Sequence, residues 1–418
     1  MSNYSLYQYP LRPLLTVFGA KPMRRLLGTF SCPKVFIGRM SLIRGLGSIA
    51  MTREKKRAFF VTDEPLRKLA ESLIPVFKTA GFTTNICCKA EPEPPIPIVD
   101  EIAKEMQEFE PDLLVAVGGG SAIDACKAAW IKYEKPETDL GSLIPLMPIG
   151  IRKKALMMAV PTTAGTGSEA TFSMVLSDPK SEPPRKIAVS HPEVIPDYVA
   201  LIPEMTLGMP LALTVGTGLD ALSHAFEAFI NRQWSSPLTD ALAIGAIKTI
   251  MKYLPIVYRN PKSIEGRFQM QMAAFMAGMA FGNSSAALTH SLGHSLGKIF
   301  KIHHGLAVGI FIPYILKYEA KMTEDYMELA KSLGIEAKNK EEYLDKLVNK
   351  FVDFMKDLGV SIALKDLNIS RSDFEKQLDY LAKYAMEDPT VVQSMRPTSE
   401  EELRKIFEYA YEGKMVDW

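Results

Sequence analysis

Asp220 and His224 stand four residues apart in GLDALSHAFEAF, His290 and His294 stand four apart in LTHSLGHSLG, and His303 and His304 follow in IHHG. In a helix, that spacing sets both side chains of a pair on one face, one turn apart. One carboxylate and several imidazoles arriving from two helices and a following loop form the kind of donor set that a divalent cation takes. The sequence is otherwise poor in histidine, with six in all and five of them between Thr214 and Gly305. The competing reading is structural, since a histidine on an apolar helix face is commonly a hydrogen-bonded core residue. On the pattern alone both readings stand.

A second chemistry is written in GGGSAIDACKAAW, residues 118–130. An apolar strand, DLLVAVGGG, runs into three glycines and then into a helical pattern. Glycines let an anion approach the backbone, and the free N–H groups at a helix start can hold a phosphate. Ser121 is placed to cap that helix and to donate to a phosphate, with Asp124 at the capping-box position. A tight turn with a good cap is the plainer alternative, because the run is not the GxGxxG fingerprint. MMAVPTTAGTGSEAT (157–171) is a strand emptying into five hydroxyls and two glycines with a single charge, Glu169. Such a loop offers donors to a phosphate, a ribose or a carboxamide.

Stepping along the chain, alternating strands and helices predict what must position these groups. KVFIG, KRAFFVTD, FTTNICC and DLLVAV read as strands separated by helical stretches, and EPEPPIP as a rigid extended connector. Strands spaced by helices of ~12 residues imply a parallel sheet covered on both faces. TFSMVLSD, RKIAVS and YVALI continue the same half, and from Met205 helical periodicity takes over. The fold class expected is therefore an α/β nucleotide-binding domain, residues 1–202, followed by an all-α metal-binding domain, residues 203–418. Residues 1–33 form an N-terminal extension to which the sequence assigns no role.

The 418 residues carry a net charge of +1, with 47% hydrophobic and 23% charged residues. That balance leaves no electrostatic footprint for nucleic acid. No apolar run approaches the ~18 residues of a membrane span, and Arg12 and Pro13 interrupt any signal-like N-terminus. Four cysteines (Cys32, Cys87, Cys88, Cys126) without zinc-finger spacing fit a reduced, cytoplasmic protein.

Taken together, VTD at 61–63, GGGSAIDACKA, PTTAGTGSEAT, GLDALSHAFEAF and HSLGHSLGKIFKIHHG occur in an order that resembles the iron-containing (group III) alcohol dehydrogenases, and the likeness runs from about Lys34 to Gly413. The resemblance implies an alcohol–aldehyde oxidoreductase with Asp220, His224, His290 and His304 as metal ligands. It places His294 as a non-ligand near the reacting carbon, able to relay a proton, and Phe281 and more weakly Phe172 as pocket walls. His303 occupies a position usually held by proline and is expected to point away. His191 has no matching role and is expected to be structural.

For the cofactor, the resemblance implies that Gly119, Gly120, Ser121 and Asp124 meet the pyrophosphate and its neighbours. Thr162, Thr163 and Thr166 would line the nicotinamide side, with Lys186 reaching the ribose or nicotinamide. Asp63 is similar to the family acid that binds the adenosine ribose, where a carboxylate repels a 2′-phosphate and favours NAD over NADP. A helix N-cap is the other reading of Asp63. The connector EPEPPIP lacks an asparagine common in the family, so the adenine side is expected to differ in detail. Fe(II) is the expected metal, with Zn(II) as the alternative, and the substrate is a small alcohol or aldehyde. A homodimer or higher homo-oligomer is expected, with the segment around Val35 pairing across subunits. The rivals are a glycerol dehydrogenase-like enzyme, a maleylacetate reductase, a dehydroquinate synthase-like lyase and a non-catalytic nucleotide-binding protein. The full ligand set and the lack of a basic cluster around 281–300, where only Lys298 is cationic, weigh against them.

Overall fold

In a computed structural model, which describes residues 30–145, 147–180, 185–231 and 234–418, the chain divides into two units at Met209/Pro210. The expected boundary at 202/203 falls seven residues earlier, where a short 3-10 turn, Pro203–Thr206, follows the last strand. Residues 1–29, most of the expected extension, lie outside the described residues.

The N-terminal unit is built on a six-stranded parallel sheet. Its strands are β1 (Lys34–Ile37), β2 (Arg57–Val61), β3 (Thr83–Cys87), β4 (Leu113–Gly118), β5 (Leu156–Pro161) and β8 (Tyr198–Leu201). Their spatial order is β1-β8-β5-β4-β2-β3. Alternation within the strands sorts two cores. Phe59, Val61, Leu114, Ala116, Met157 and Ala159 face one side; Ala58, Phe60, Leu113, Val115, Val117, Met158 and Val160 face the other. The period of two in a strand that is apolar throughout is what a sheet buried on both faces requires. Helix α1 (Arg39–Met51) and the pair α2 (Arg67–Glu71) and α3 (Ile74–Thr79) cover one face. Helices α4 (Ile96–Phe109) and α5 (Gly120–Glu134) cover the other.

Two features of this unit have local causes. The stretch 65–80 is not one helix, because Pro75 at the first turn of α3 removes the N–H that would continue α2. TFSMVLSD and RKIAVS do not join the parallel sheet. They form an antiparallel pair of their own, β6 (Ser173–Asp178) with β7 (Arg185–Ser190).

The C-terminal unit is helical among its described residues. The helices are α6 (Leu211–Ile230), α7 (Pro237–Arg259), α8 (Ile264–Gly282), α9 (Leu288–Phe300), α10 (His304–Gly309), α11 (Ile312–Glu319), α12 (Asp325–Ser332), α13 (Lys340–Asp357), α14 (Arg371–Glu387) and α15 (Glu400–Glu412). Every residue of α6 from Thr214 onward is buried, so it is the central helix. Helix α7 has the length and mean hydropathy of a membrane span. It also carries Asp240, Lys248, Lys252 and Pro255, and buries Ala243, Ala246, Ile247, Ile250, Leu254 and Val257, a stripe at helical spacing, while packing on α6 and α8.

Candidate functional site

Helix α6 is apolar nearly all round apart from small hydroxyls, and its titratable residues recur at 220, 224 and 227, a single face. Asp220, His224 and Glu227 are all buried, and each must find a partner to offset the loss of water. Helix α10 crosses α6 beside Asp220. Gly305 makes the crossing feasible, because a Cβ there would lie 1.9 Å from the Gly216 carbonyl oxygen and 2.8 Å from Asp220 Cβ. Any larger residue would push the neighbouring His304 away from Asp220. Helix α9 supplies His290 from a third direction.

The result is a cluster. His304 Nε2 lies 3.2 Å from Asp220 Oδ1, and the Nε2 atoms of His290 and His224 each lie 3.8 Å from it. Asp220, His290 and His304 each bring one donor atom within 4.8 Å of the others. His224 stacks face to face on Phe281, ring centroids 4.1 Å apart at 9°, and on the His290 ring at 4.6 Å. Phe281 therefore holds a member of the cluster in place. Asp220 Oδ1 and His290 Nε2 are buried yet have no hydrogen-bond partner. Buried orphans are rare in native proteins and call for an explanation. Ligand bonds of about 2.0–2.2 Å to one shared cation would supply it at these separations. The residues fit a metal. Burial by itself would raise the Asp220 carboxyl, but His224, His304 and His290 outweigh it and hold it well below the usual carboxylate range. Burial pulls His224 down to about 4, against the attraction of Asp220, so it is a neutral, metal-ready imidazole.

Two carboxylates behind the cluster escaped the sequence reading. Glu227 accepts from Thr289 N (2.6 Å), Thr289 Oγ1 (2.5 Å) and His290 N (3.1 Å), and its other oxygen takes His290 Nδ1 at 2.5 Å. Burial pushes Glu227 up, but His290 and Thr289 outweigh it and keep the carboxyl low. An ionised carboxylate only accepts, so His290 carries its hydrogen on Nδ1 and turns Nε2 toward Asp220. The signal was present in the sequence: Glu227 extends the 220/224 spacing by one more turn, and it is the only acid in HAFEAF. The second is Asp388, just beyond α14, whose Oδ2 accepts from His294 Nδ1 at 2.8 Å. Burial would raise Asp388, but His294 and the donors of Thr390 bring it down to about 2. Nothing near Asp388 in the sequence announces that contact.

His294 is not among the three converging donors. Its ring stacks on His304 at 5.2 Å and 21°. The side chains of His294 and His304 are 42% and 44% exposed, whereas those of Asp220, His224 and His290 are nearly closed off, so the cluster opens on the His294–His304 side. The His303 ring lies over Gly216. His191 uses both ring nitrogens, with Met147 O and Glu193 N, as a structural residue does.

The other predicted residues gather in the N-terminal unit. All six strands are parallel, so β2, β4 and β5 end on one edge, and Asp63, Gly119–Ser121 and Thr162–Thr166 follow directly from those ends. From β2 the chain goes to β3 on one side and then to β4 on the other, and such a reversal is where open parallel sheets bind ligands. Space beside Gly119 and Gly120 is tight: a Cβ on Gly119 would stand 3.2 Å from Thr163 Cγ2, and one on Gly120 3.1 Å from Thr166. The glycine turn and the hydroxyl loop are therefore in contact.

Helix α5 starts earlier than expected. Gly119, not Ser121, is its N-cap, with no side chain capping it, so the first N–H groups are left for an anion. Asp124 is not a capping residue. Its Oδ1 accepts from Ser168 Oγ (2.6 Å) and its Oδ2 from Val175 N (2.9 Å), tying the hydroxyl loop to α5. Lys127, fully buried, completes that tie by donating to the carbonyls of Ser168, Thr171 and Ser173 at 2.7–2.9 Å. Asp63 Oδ1 caps a 3-10 turn through Leu66 N at 2.9 Å. Lys186 pairs with Glu93 of the EPEPPIP connector at 2.5 Å.

Comparison with known proteins agrees with this picture over both units. Residues 32–203 match the description "Iron-containing alcohol dehydrogenase", and residues 214–411 match "Fe-containing alcohol dehydrogenase family, C-terminal". An NADPH-dependent butanol dehydrogenase of Clostridium saccharobutylicum is 36% identical over 350 residues, 83% of this chain and 89% of that protein. The bifunctional aldehyde-alcohol dehydrogenase of Escherichia coli is 32% identical over 91% of this chain, which spans just under half (46%) of that longer protein. Among solved structures, a 1,3-propanediol oxidoreductase superposes with a TM-score of 0.84 at 28% identity, covering 92% of this chain and 100% of that one.

Proposed function

The chain belongs to the iron-containing alcohol dehydrogenase family and is a metal-dependent NAD(P) alcohol oxidoreductase; we propose that Asp220, His224, His290 and His304 hold its metal, that NAD is its nucleotide and that His294 moves the proton. The observation that carries the metal site is the facing pair of partnerless buried atoms, Asp220 Oδ1 and His290 Nε2, 3.8 Å apart. A divalent cation bound there supplies Lewis-acid polarisation of the substrate oxygen, and the nicotinamide supplies or accepts the hydride.

What the chain itself does follows from its side chains. Glu227 and Phe281 fix the rings of His290 and His224 before any ligand arrives, so little reorganisation is left for binding. The exposed edge at His294 and His304 is where a small alcohol or aldehyde reaches the cluster. His294 has Nδ1 committed to Asp388, leaving Nε2 to exchange the proton lost or gained by the substrate oxygen. The free N–H groups at the start of α5, with Ser121, Thr162, Thr163 and Thr166, suit the pyrophosphate and the nicotinamide side. Asp124 keeps the hydroxyl loop against α5, and Lys186 lies on the adjoining strand pair.

Asp63 supports NAD. At the end of β2 its carboxylate would stand against a 2′-phosphate, and the NADPH-dependent butanol relative makes this a point to measure. Fe(II) is proposed as the native metal with Zn(II) as its competitor, since zinc wins on raw affinity and loading follows supply. Edge strand β1, with Ile37 and nearby Met40 exposed, supports a homodimer. The four unpaired cysteines are in keeping with a reducing cytoplasm.

Metal analysis of protein purified without oxygen, combined with a screen of NADH and NADPH oxidation over butyraldehyde, 3-hydroxypropionaldehyde and a panel of other aldehydes, tests these assignments. About one equivalent of iron and a preference for NADH are expected. An equivalent of zinc without iron sinks the iron assignment, and a preference for NADPH sinks the reading of Asp63.

A further inference from the structure

We infer that Asp388 is the positioning residue of the proton relay: it fixes the ring and tautomer of His294, so that Nε2 is the nitrogen that exchanges protons. The inference rests on the reading of His294 given above and deepens it.

The geometry comes from the packing of α9 on α14. Ser291 Oγ donates to Ala385 O (2.7 Å), and Ser295 Oγ donates to Leu381 O (2.8 Å). Lys298 Nζ sits 4.0 Å from the centroid of the Tyr384 ring. Residues 291, 295 and 298 on one helix thus meet 385, 381 and 384 on the other. That register brings His294 opposite Asp388, the first residue past the end of α14. Asp388 is itself held, since its Oδ1 accepts from Thr390 N at 2.9 Å and Thr390 Oγ1 at 2.6 Å. Only Oδ2 is left for His294, at 2.8 Å. The His294 ring is 42% exposed and otherwise meets only the His304 and His290 rings, contacts that do not choose between its two nitrogens, so this bond sets which nitrogen faces which way. A histidine whose Nδ1–H is taken by a fixed carboxylate presents the lone pair of Nε2.

Asp388→Asn makes the inference testable with little change of shape. The two Thr390 donors hold the amide oxygen, so the amide NH2 faces His294. Its Nδ1 must then accept, which moves the ring hydrogen to Nε2. With only six histidines, the resonances of a 15N-histidine-labelled, metal-free full-length chain can be assigned. The wild type is expected to carry the His294 hydrogen on Nδ1, and Asp388→Asn to carry it on Nε2. In the Fe(II)-loaded enzyme, Asp388→Asn should lower kcat for alcohol oxidation roughly ten- to a hundred-fold with little change in KM. Asp388→Glu should recover part of the loss. Combining Asp388→Asn with His294→Asn should cost little more than His294→Asn alone, because the two act as one unit.

A His294 hydrogen on Nε2 in the wild type overturns the inference, whether or not any variant folds. So does a wild-type kcat in Asp388→Asn when His294→Asn is impaired. A wild-type kcat in His294→Asn instead overturns the relay reading beneath it, and the tautomer measurement separates that failure from the failure of Asp388.

Discussion

The two halves of the active machinery are finished to different degrees by the chain alone. In the C-terminal cluster, Asp220 Oδ1, His224 Nδ1 and His290 Nε2 are buried without partners. In the N-terminal unit, Asp124 and Lys127 behind the glycine turn are saturated by Ser168, Thr171, Ser173 and Val175. One site is a set of strong donors, three of them closed off from water, that on the proposed reading an ion would complete. The other is a backbone surface already tightened by its own hydrogen bonds, on which the proposed nucleotide would only rest. Loss of a ligating group should therefore abolish chemistry in the first, while damage to the second should show first as lost stability and weaker nucleotide binding.

The sharpest contrast is Asp220→Ala. Removing the one carboxylate among the proposed ligands should eliminate stoichiometric metal and lower alcohol-dependent NADH formation by about 10²–10³-fold or more, since a bound metal contributes several kcal/mol to the transition state. Nucleotide binding by the N-terminal unit should be unchanged in a fluorescence titration. A variant that keeps both its metal and its turnover would dissolve the contrast.

Glu227→Gln probes the same half one layer out. Thr289 and the His290 N–H hold the amide oxygen, so the amide NH2 faces His290 Nδ1 and drives the ring hydrogen onto the ligating nitrogen. Metal affinity should fall roughly 10–100-fold. Competition with a chelator measures it, and an unchanged affinity would show that Glu227 is only a buried structural acid.

In the other half, Lys127→Met removes the shared donor of the Ser168, Thr171 and Ser173 carbonyls, of which Ser168 O keeps the Thr171 N–H at 3.3 Å. The expected cost is about 3 kcal/mol of stability, read by denaturant unfolding. The KM for NAD should rise more than kcat falls, because the loosened segment follows the hydroxyl loop that faces Gly119 and Gly120. A large loss of kcat with an unchanged KM would contradict that order.

The sequence made one half more legible than the other for the same physical reason. A carboxylate and imidazoles at helical spacing show in a string, so Asp220, His224 and the later histidines stood out as a group, while only the family resemblance picked His290 and His304 from among them as the proposed ligands. Glu227 is legible in the same way, as the next turn of the same face. Asp388 was not readable, because its link to His294 is made by the register of α14 on α9, 94 residues away in sequence. The parallel sheet followed from apolar strands alternating with helices, whereas the separate pairing of β6 with β7 depends on a chain reversal that strand periodicity does not encode. Asp124 shows the limit most clearly. Its type and place suited a phosphate-binding helix start, yet the Ser168 hydroxyl, 44 residues on, and the Val175 backbone N–H of β6, 51 residues on, take its two oxygens.

The smallest expected effect tests whether the N-terminal tie is electrostatically quiet. Glu169 lies buried beside the same loop, and desolvation pushes its carboxyl up to about 7. The folded chain thus holds a proton there that the unfolded chain has released between about pH 4.5 and 7. The contribution of Glu169 is fully present below the unfolded value and is lost as pH rises through the folded one. Glu169→Gln, which cannot ionise, should lack this decline. The difference in thermal midpoint, wild type minus variant, should therefore fall as pH is raised from 4.5 to 7. The buried Lys127, pulled down to about 8 by desolvation, acts in a separate window. There the unfolded chain holds the extra proton, and stability rises from about pH 8 to 10.5 in both proteins, so the difference between them should be flat. A wild-type-minus-variant difference that stays flat between pH 4.5 and 7 would mean that Glu169 is charged in the fold and fully compensated, and the loop would then be tied by a buried ion pair with Lys127 rather than by hydrogen bonds around one cation.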